Sequence, residues 1–339
     1  MLALERIRLR FSIVIPVYNI KDYLPRCVES LLAQSVEPYE ILLIDDGSKL
    51  GDGPVCDELA DRYELVKAYH KENGGAADTR NYGASLVTGD YLVFIDGDDW
   101  VDEDMLLSFK KAIEANPKAE PVDVVMSEGF IYNIDDKEEE NKWFEKEYVS
   151  YISGQETLLY TSKHFPNWSP VSKCYRKKYW DDHGFKFVKG RLAEDFQLVD
   201  RVVFEAENVV MVPSFYHYFY RSQSSVRSVN EKFVLDSLTN LEDWKAYLQE
   251  HECIALLKDQ LRALHANLYS HSVFAYLYLV ESSNRKAMID RAYELRDYIK
   301  YIPGKEGTII RLSTKLIGFK NTSKLLGKLK KKRLAENHF

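Results

Sequence analysis

A chain of 339 residues with 45% hydrophobic and 29% charged side chains is too long for one small domain and has the composition of an ordinary globular protein. The formal net charge is −7, but nine basic and no acidic residues lie between Gly307 and Ala335, which leaves 37 basic against 53 acidic residues elsewhere. An acidic body argues against a general nucleic-acid binder, while the basic tail permits contact with anionic lipid.

The four cysteines, Cys27, Cys56, Cys174 and Cys253, are scattered and form no C-x-x-C pair. Neither a disulfide framework nor a zinc site is expected, and a reducing cytoplasm is the natural compartment. Met1 to Arg10 is charged and lacks the apolar stretch of a signal peptide. No segment approaches the roughly 20 apolar residues of a membrane span. The expectation is a cytoplasmic protein, with peripheral contact at the inner face of the membrane open to the tail.

Phe11 to Val17 is a short β-branched run that reads as a buried strand. Asn19 is placed to cap a helix in which Leu24, Val28, Leu31 and Leu32 share one face, with Pro25 tolerated in the first turn. Glu40 to Ile44 predicts a second strand, stopped by Asp45-Asp46-Gly47-Ser48. A helix over 55–63, a strand near 65–69, a break at Asn73-Gly74-Gly75 and a helix through Arg80 and Leu86 follow. Tyr91 to Ile95 is a fourth strand ending at Asp96-Gly97-Asp98-Asp99; then come a helix over 102–115 and a strand over 122–126. The alternation indicates a mostly parallel α/β sheet with helices on both faces, in which ligands sit at the carboxyl ends of strands. Asp135 to Glu147 is strongly charged and reads as a surface excursion. Residues 232–300 are helical in pattern, and a boundary is placed near residue 230, giving units 1–230 and 231–339 with a basic amphipathic tail over 307–335.

The D-x-D of Asp96 and Asp98 presents hard oxygen ligands at a strand end, suited to Mg²⁺ or Mn²⁺ and able to neutralise a departing diphosphate. With Pro16-Val17-Tyr18-Asn19, Asp45-Asp46-Gly47-Ser48, Asn73-Gly74-Gly75, Thr79-Arg80-Asn81 and Gly89-Asp90 in that order, the sequence resembles the family-2 glycosyltransferases. The match is close over Phe11 to Trp100 and looser to Arg227. It implies a GT-A fold, Rossmann-like, followed by a helical C-terminal region.

The resemblance also implies roles. Tyr18 stacks on the nucleobase, Asp46 accepts from its ring N–H, and Pro16 lines the same pocket. Arg80 reaches the phosphates or ribose with a guanidinium fork, and Asp96 and Lys173 join the donor site. Asp98 and Asp96 hold the metal. His217, in the aromatic stretch ending at Arg221, matches a histidine that completes the metal shell in some relatives, although it stands four residues before that arginine rather than the more usual two; the alternative is a core or cleft-wall histidine. Ser172-Lys173-Cys174-Tyr175-Arg176 matches the Lys-x-x-Arg segment preceding an acidic pair, here Glu194-Asp195. Asp195 is then the general base of a single inverting displacement and Glu194 orients it. The alternative for this pair is capping of a helix beginning at Phe196.

The expected reaction moves one sugar from a nucleotide diphosphate donor, a UDP-sugar with GDP- or dTDP-sugars as the alternatives, to a glycan or lipid-linked acceptor. The Q-x-x-R-W signature of processive synthases is missing. The glycine-free segment after the first strand argues against a nucleotidyltransferase or a dinucleotide-binding dehydrogenase. The remaining alternative is a catalytically silent nucleotide-sugar-binding module. A homo-oligomer is compatible with the sequence. In the tail, Leu312, Leu316, Phe319, Leu325, Leu326 and Leu329 interleave with lysines, as an interfacial helix requires; the alternative is an amphipathic helix packed on its own protein or on an oligomer partner.

Overall fold

The computed structural model describes residues 9–134, 137–142, 150–161, 169–220 and 230–336. Arg221 and Arg227, Asp135 and Asp136, and 143–147 of the charged segment lie outside the described residues. Strand and helix alternate through β1 (Phe11–Val17), α1 (Leu24–Leu32), β2 (Glu40–Asp45), α2 (Asp52–Arg62), β3 (Val66–His70), α3 (Ala76–Leu86) and β4 (Tyr91–Phe94). There follow β5 (Trp100–Val101), α4 (Met105–Glu114), β6 (Val124–Ile134), β7 (Lys137–Lys142), α5 (Gly154–Thr161), β8 (Lys173–Arg176), α6 (Lys177–Asp182), α7 (Glu194–Phe204) and β9 (Val209–Phe219).

These strands form one nine-stranded sheet in the order β3-β2-β1-β4-β8-β6-β9-β5, with β7 paired to β6. β1 is parallel to β2 and β4, and β2 is parallel to β3. The first four strands thus follow the expected parallel pattern. Beyond β4 the sheet is mixed, because β8 runs antiparallel to both β4 and β6, and β5 antiparallel to β9. All six residues of β2 are buried, as strands covered on both faces require. Helix α3 lies so close to the sheet that a Cβ at Gly83 would come within 2.3 Å of the Val14 side chain.

Glu40 ties this region together. Its buried carboxylate accepts from Ser12 Oγ at 2.7 Å, from Thr88 N and Oγ1 at 2.8 Å, and from Lys67 Nζ at 2.8 Å. Burial alone would raise its pKa, but the Lys67 pair and the Thr88 and Ser12 donors hold it at about 2.

Three local expectations change. Asn19 does not cap α1: it adopts a left-handed φ of 56° and accepts Lys49 N–H at 3.1 Å, while α1 starts after Tyr23 without a side-chain cap. On α1 the buried face is Leu24, Cys27, Val28 and Leu31, so Cys27 takes the place expected of Leu32. The charged segment is in part a hairpin: β7 pairs with the far end of β6, which runs well past Met126.

The chain divides into two units. The first, Met1–Thr157, Asn167–Gly190 and Leu198–Ser222, contains the whole sheet. The second, Leu158–Pro166, Arg191–Gln197 and Gln223–Phe339, is built from α8 (Glu231–Glu250), α9 (Ala255–Leu268), a π-helical turn at Tyr269–Phe274, α10 (Arg285–Glu294), a 3-10 helix at Arg296–Tyr301 and α11 (Gly304–Glu336). Asn230 caps α8 by accepting Phe233 N–H at 3.0 Å. Val234, Leu238, Leu241, Trp244 and Leu248 form its buried stripe, and Leu257, Leu261 and Leu264 that of α9. None of the described helices is long and apolar enough to cross a membrane.

Candidate active site

Parallel pairing brings the carboxyl ends of β1, β2 and β4 to one edge of the sheet, with Pro16 opposite Ile44 and Val17 opposite Asp45. Tyr18 emerges there half-exposed, a placement that leaves its ring face available. Asn19 links this loop to the next through Lys49, and its own N–H points to Ser48 Oγ at 3.4 Å. Asp45 accepts from Ser48 N and His70 Nδ1, both at 3.0 Å. Although burial pushes the Asp45 carboxyl up, these donors hold it below the usual carboxylate range.

Asp46 is buried, and its carboxylate clamps the 71–75 loop. Oδ1 accepts Gly74 N–H and Oδ2 accepts Gly75 N–H, each at 2.8 Å, while Lys71 Nζ reaches Oδ1 at 2.5 Å. Asn73 donates to the Asp46 carbonyl at 2.8 Å. Lys71 also pairs with Asp78 at 2.8 Å, so one cation bridges two carboxylates. The two loops approach so closely that a Cβ at Gly47, whose φ is 66°, would lie 2.9 Å from Asn73 N.

Arg80, buried on α3, donates to Asp96 Oδ1 at 2.9 Å and lies over the Phe187 ring. The pair is therefore buried on the arginine side. Asn81 exchanges two hydrogen bonds with the Phe187 backbone, at 2.8 and 2.9 Å. The D-x-D turn is held from β9: Asp96 N–H donates to Tyr216 Oη at 3.0 Å, and Tyr216 donates to Asp99 Oδ2 at 2.8 Å. Phe219 N–H completes the set on Asp99 Oδ1 at 2.8 Å. Burial, reinforced by Asp98 and Asp96, pushes Asp99 well above the usual carboxylate range. From α1, Arg26 donates to the Asp98 carbonyl at 2.8 Å and lies 3.9 Å over the Trp100 ring. The turn is thus braced from β9 and from α1.

His217 stacks on Trp100 at 5.0 Å, and its Nε2 engages Asp102 Oδ1 at 2.7 Å. Among the described residues no group of three or more His, Cys, Asp or Glu side chains could hold a metal ion. The chain itself offers the pair Asp96 and Asp98. That set fits Mg²⁺ or Mn²⁺, since such ions are commonly held by one or two carboxylates with waters and substrate phosphates filling the remaining positions.

Lys173 is fully buried in β8 and donates to the Ser169 carbonyl at 2.7 Å. Arg176 pairs with Asp123, whose other oxygen accepts Glu207 N–H at 3.0 Å, a purely structural set of bonds. Glu194 and Asp195 lie in the first turn of α7, which begins at Glu194 rather than Phe196, after Ala193 at φ 54°. Within the helical unit α8 grips this turn. Asn240 Nδ2 donates to the Leu192 and Ala193 carbonyls at 3.3 and 3.0 Å, and Arg191 engages Asn240 and Asp243. Leu192 N–H donates to Asp236 at 2.8 Å, and Trp244 Nε1 to the Phe196 carbonyl at 2.9 Å.

Arg26, Lys71, Tyr216 and Asn240 were missed in the sequence. Lys71 stands two residues before Asn73, and Tyr216 lies in the aromatic strand, but their partners are distant in the chain.

Comparison with known proteins gives the family and the fold. The sequence model of a family described as Glycosyl transferase family 2 matches residues 12–184. Glycosyltransferase GlyG of Streptococcus pneumoniae serotype 4 is 30% identical over 234 residues, covering 64% of this chain and 73% of that protein. Glycosyltransferase GlyA of the same organism is 28% identical over 236 residues, 66% of this chain but only 32% of that longer protein. The crystal structure of S. aureus TarS 1-349 in complex with UDP-GlcNAc superposes with a TM-score of 0.69 at 18% identity, covering 96% of this chain and 92% of that one. At that identity the likeness shows the fold.

Proposed function

Because the chain belongs to glycosyl transferase family 2, and is a nucleotide-sugar glycosyltransferase, we propose that it moves one sugar from a UDP-sugar to a hydroxyl of a glycan or lipid-linked acceptor, with inversion at the anomeric carbon. The observation that carries the reading is the delivery of Tyr18, Asp46, Arg80 and the Asp96-Gly97-Asp98 turn to one edge of the sheet. TarS, a protein of the same fold, is seen in complex with UDP-GlcNAc, in keeping with a nucleotide-sugar donor.

In this reading the Tyr18 ring stacks on uracil, with Pro16 beside it. Asp46 holds the 71–75 loop against the base pocket and accepts the imide N–H with a remaining lone pair. Arg80 sits next to Asp96 and presents its guanidinium to the donor phosphates or ribose. Lys173 underlies the donor site through its grip on the Ser169 carbonyl. Asp96 and Asp98 would hold a divalent cation, which when bound would supply charge neutralisation for the departing diphosphate. Asp195 takes the proton of the acceptor hydroxyl as that oxygen bonds to the anomeric carbon and the bond to the diphosphate breaks. One base and one in-line displacement give inversion without a covalent intermediate. Glu194 orients the base.

Isothermal titration with UDP, GDP and dTDP in Mn²⁺, paired with an assay of donor hydrolysis, tests the proposal. UDP is expected to bind tightest and its sugar to be hydrolysed slowly. Tight binding of GDP alone overturns the nucleotide assignment, and UDP binding without hydrolysis or transfer points to the silent binding module.

A further inference from the structure

α11 is broken at Gly318, where φ is 79°, into two helical segments that each bury one face within the helical unit. In the first segment Gly307 and Ile310 are buried, and Arg311 donates to the Ile302 carbonyl at 2.7 Å. In the second, Thr322, Ser323 and Gly327 are buried, and Ser323 Oγ donates to the Phe274 carbonyl at 2.6 Å. Phe319, next to the break, packs on Phe274 and Tyr293.

The opposite faces are apolar as well. Ile309, Leu312 and Leu316 recur at i, i+3 and i+7, and Leu312 and Leu316 are 55% and 82% exposed. After the break Leu325 and Leu329 recur at i and i+4 and are also exposed. Exposed lysines interleave with them: Lys315 and Lys320, then Lys324, Lys328, Lys331 and Lys332. No acidic residue occurs between Gly307 and Ala335, although the whole chain is acidic. A helix that buries one face in its own unit and shows leucines among lysines on the other satisfies both needs of an interfacial helix, apolar depth and positive charge. Packing inside the unit uses the buried face and leaves the leucine face unexplained.

We propose that the outer face of α11 docks on a phospholipid surface of net negative charge. Ile309, Leu312, Leu316, Leu325 and Leu329 enter the boundary between headgroups and acyl chains, and the flanking lysines meet the anionic headgroups. The helix lies on the surface and does not span it. The charge sign selects the occupant, since a stripe of aliphatic side chains and cations with no anion is repelled by a second identical stripe.

Co-sedimentation of the full chain with phosphatidylglycerol–phosphatidylcholine vesicles and with phosphatidylcholine vesicles tests this. The protein is expected to partition onto the anionic vesicles and to be released by salt, as screening shortens from about 10 Å at 0.1 M to about 3 Å at 1 M. Leu312→Glu/Leu316→Glu should weaken partitioning by about tenfold per leucine, and Lys328→Gln/Lys331→Gln should weaken it and flatten the salt response. These side chains are exposed, so circular dichroism, melting temperature and UDP binding should stay as in the parent, which separates this proposal from the donor reading. Equal partitioning onto both lipids, no partitioning at all, or variants that bind like the parent would overturn it. So would sedimentation velocity showing a self-assembly that the leucine variant dissolves without any vesicle binding.

Discussion

Arg80 and Asp96 meet at 2.9 Å, the guanidinium almost enclosed at 7% side-chain exposure and the carboxylate open at 32%. The pair joins α3 to the turn after β4, so the proposed phosphate-binding cation and a proposed metal ligand share one bond. Arg80→Lys keeps the charge but loses the fork, and UDP affinity in Mn²⁺ should fall roughly 10- to 100-fold, the worth of a charge-assisted hydrogen bond. A thermal double-mutant cycle of Arg80→Ala with Asp96→Asn should be non-additive by about 0.5–3 kcal/mol. Additive effects would show that the two side chains act separately.

Asp98→Asn should weaken UDP binding in Mn²⁺ and lower turnover together, because in the proposed scheme a cation there would serve both binding and departure of the diphosphate. His217 keeps only Nδ1 for a metal, since Nε2 is engaged by Asp102, and His217→Ala should weaken Mn²⁺-dependent UDP binding less than Asp98→Asn does. Full transfer activity in excess chelator is the result that removes the metal from the scheme.

Asp195→Asn keeps size and shape but cannot take a proton. UDP affinity and melting temperature should be unchanged, and transfer should fall about 10²–10⁴-fold. Glu194→Gln should be milder. If both variants retain full activity, the base lies elsewhere.

Asn240 holds the carbonyls of Leu192 and Ala193 just before that acidic pair. Asn240→Ala should lower kcat while sparing UDP affinity, and combining it with Asp195→Asn should cost little more than Asp195→Asn alone, since residues acting as a unit are non-additive. A drop in UDP affinity equal to the drop in kcat would instead mean general loss of structure.

Glu40 predicts a pH dependence of stability. Its folded pKa of about 2 lies below the ordinary 4.5, so its contribution is complete above about pH 4.5 and is lost as the pH falls toward 2. Glu40→Gln should be less stable than the parent near neutrality by about 1–3 kcal/mol, the cost of disturbing a buried charged hydrogen-bond set. In urea unfolding the gap should narrow across that window, and a gap constant from pH 7 to 2 contradicts the assignment.

The strand starts, the turns after them and the D-x-D were legible in the sequence. Buried parallel strands are continuous apolar runs, and the polar clusters that end them are local in the chain. The clusters that hold Tyr18, Asp46 and Asp96 were visible for that reason, while the roles of these residues came from the family resemblance. The antiparallel β8 was not, because Lys173-Cys174-Tyr175-Arg176 has four residues and a lysine at a fully buried position. Asn19 looked like a helix cap because Asn suits caps, yet a left-handed turn and Lys49 N–H claimed it.

Residue type and order alone determined the α/β class, the family likeness, the acidic turn and the basic tail. Tertiary structure decided what those side chains touch. Arg80 and Asp96 are 16 residues apart, Asp99 and Tyr216 117 apart, and Ala193 and Asn240 47 apart. Hydrogen bonds across such separations depend on strand order and helix placement, which no local pattern of the chain encodes. The same holds for α11: its periodicity shows an amphipathic helix, but only packing against Phe274 and Tyr293 decides which face is buried and leaves Leu312 and Leu316 outside.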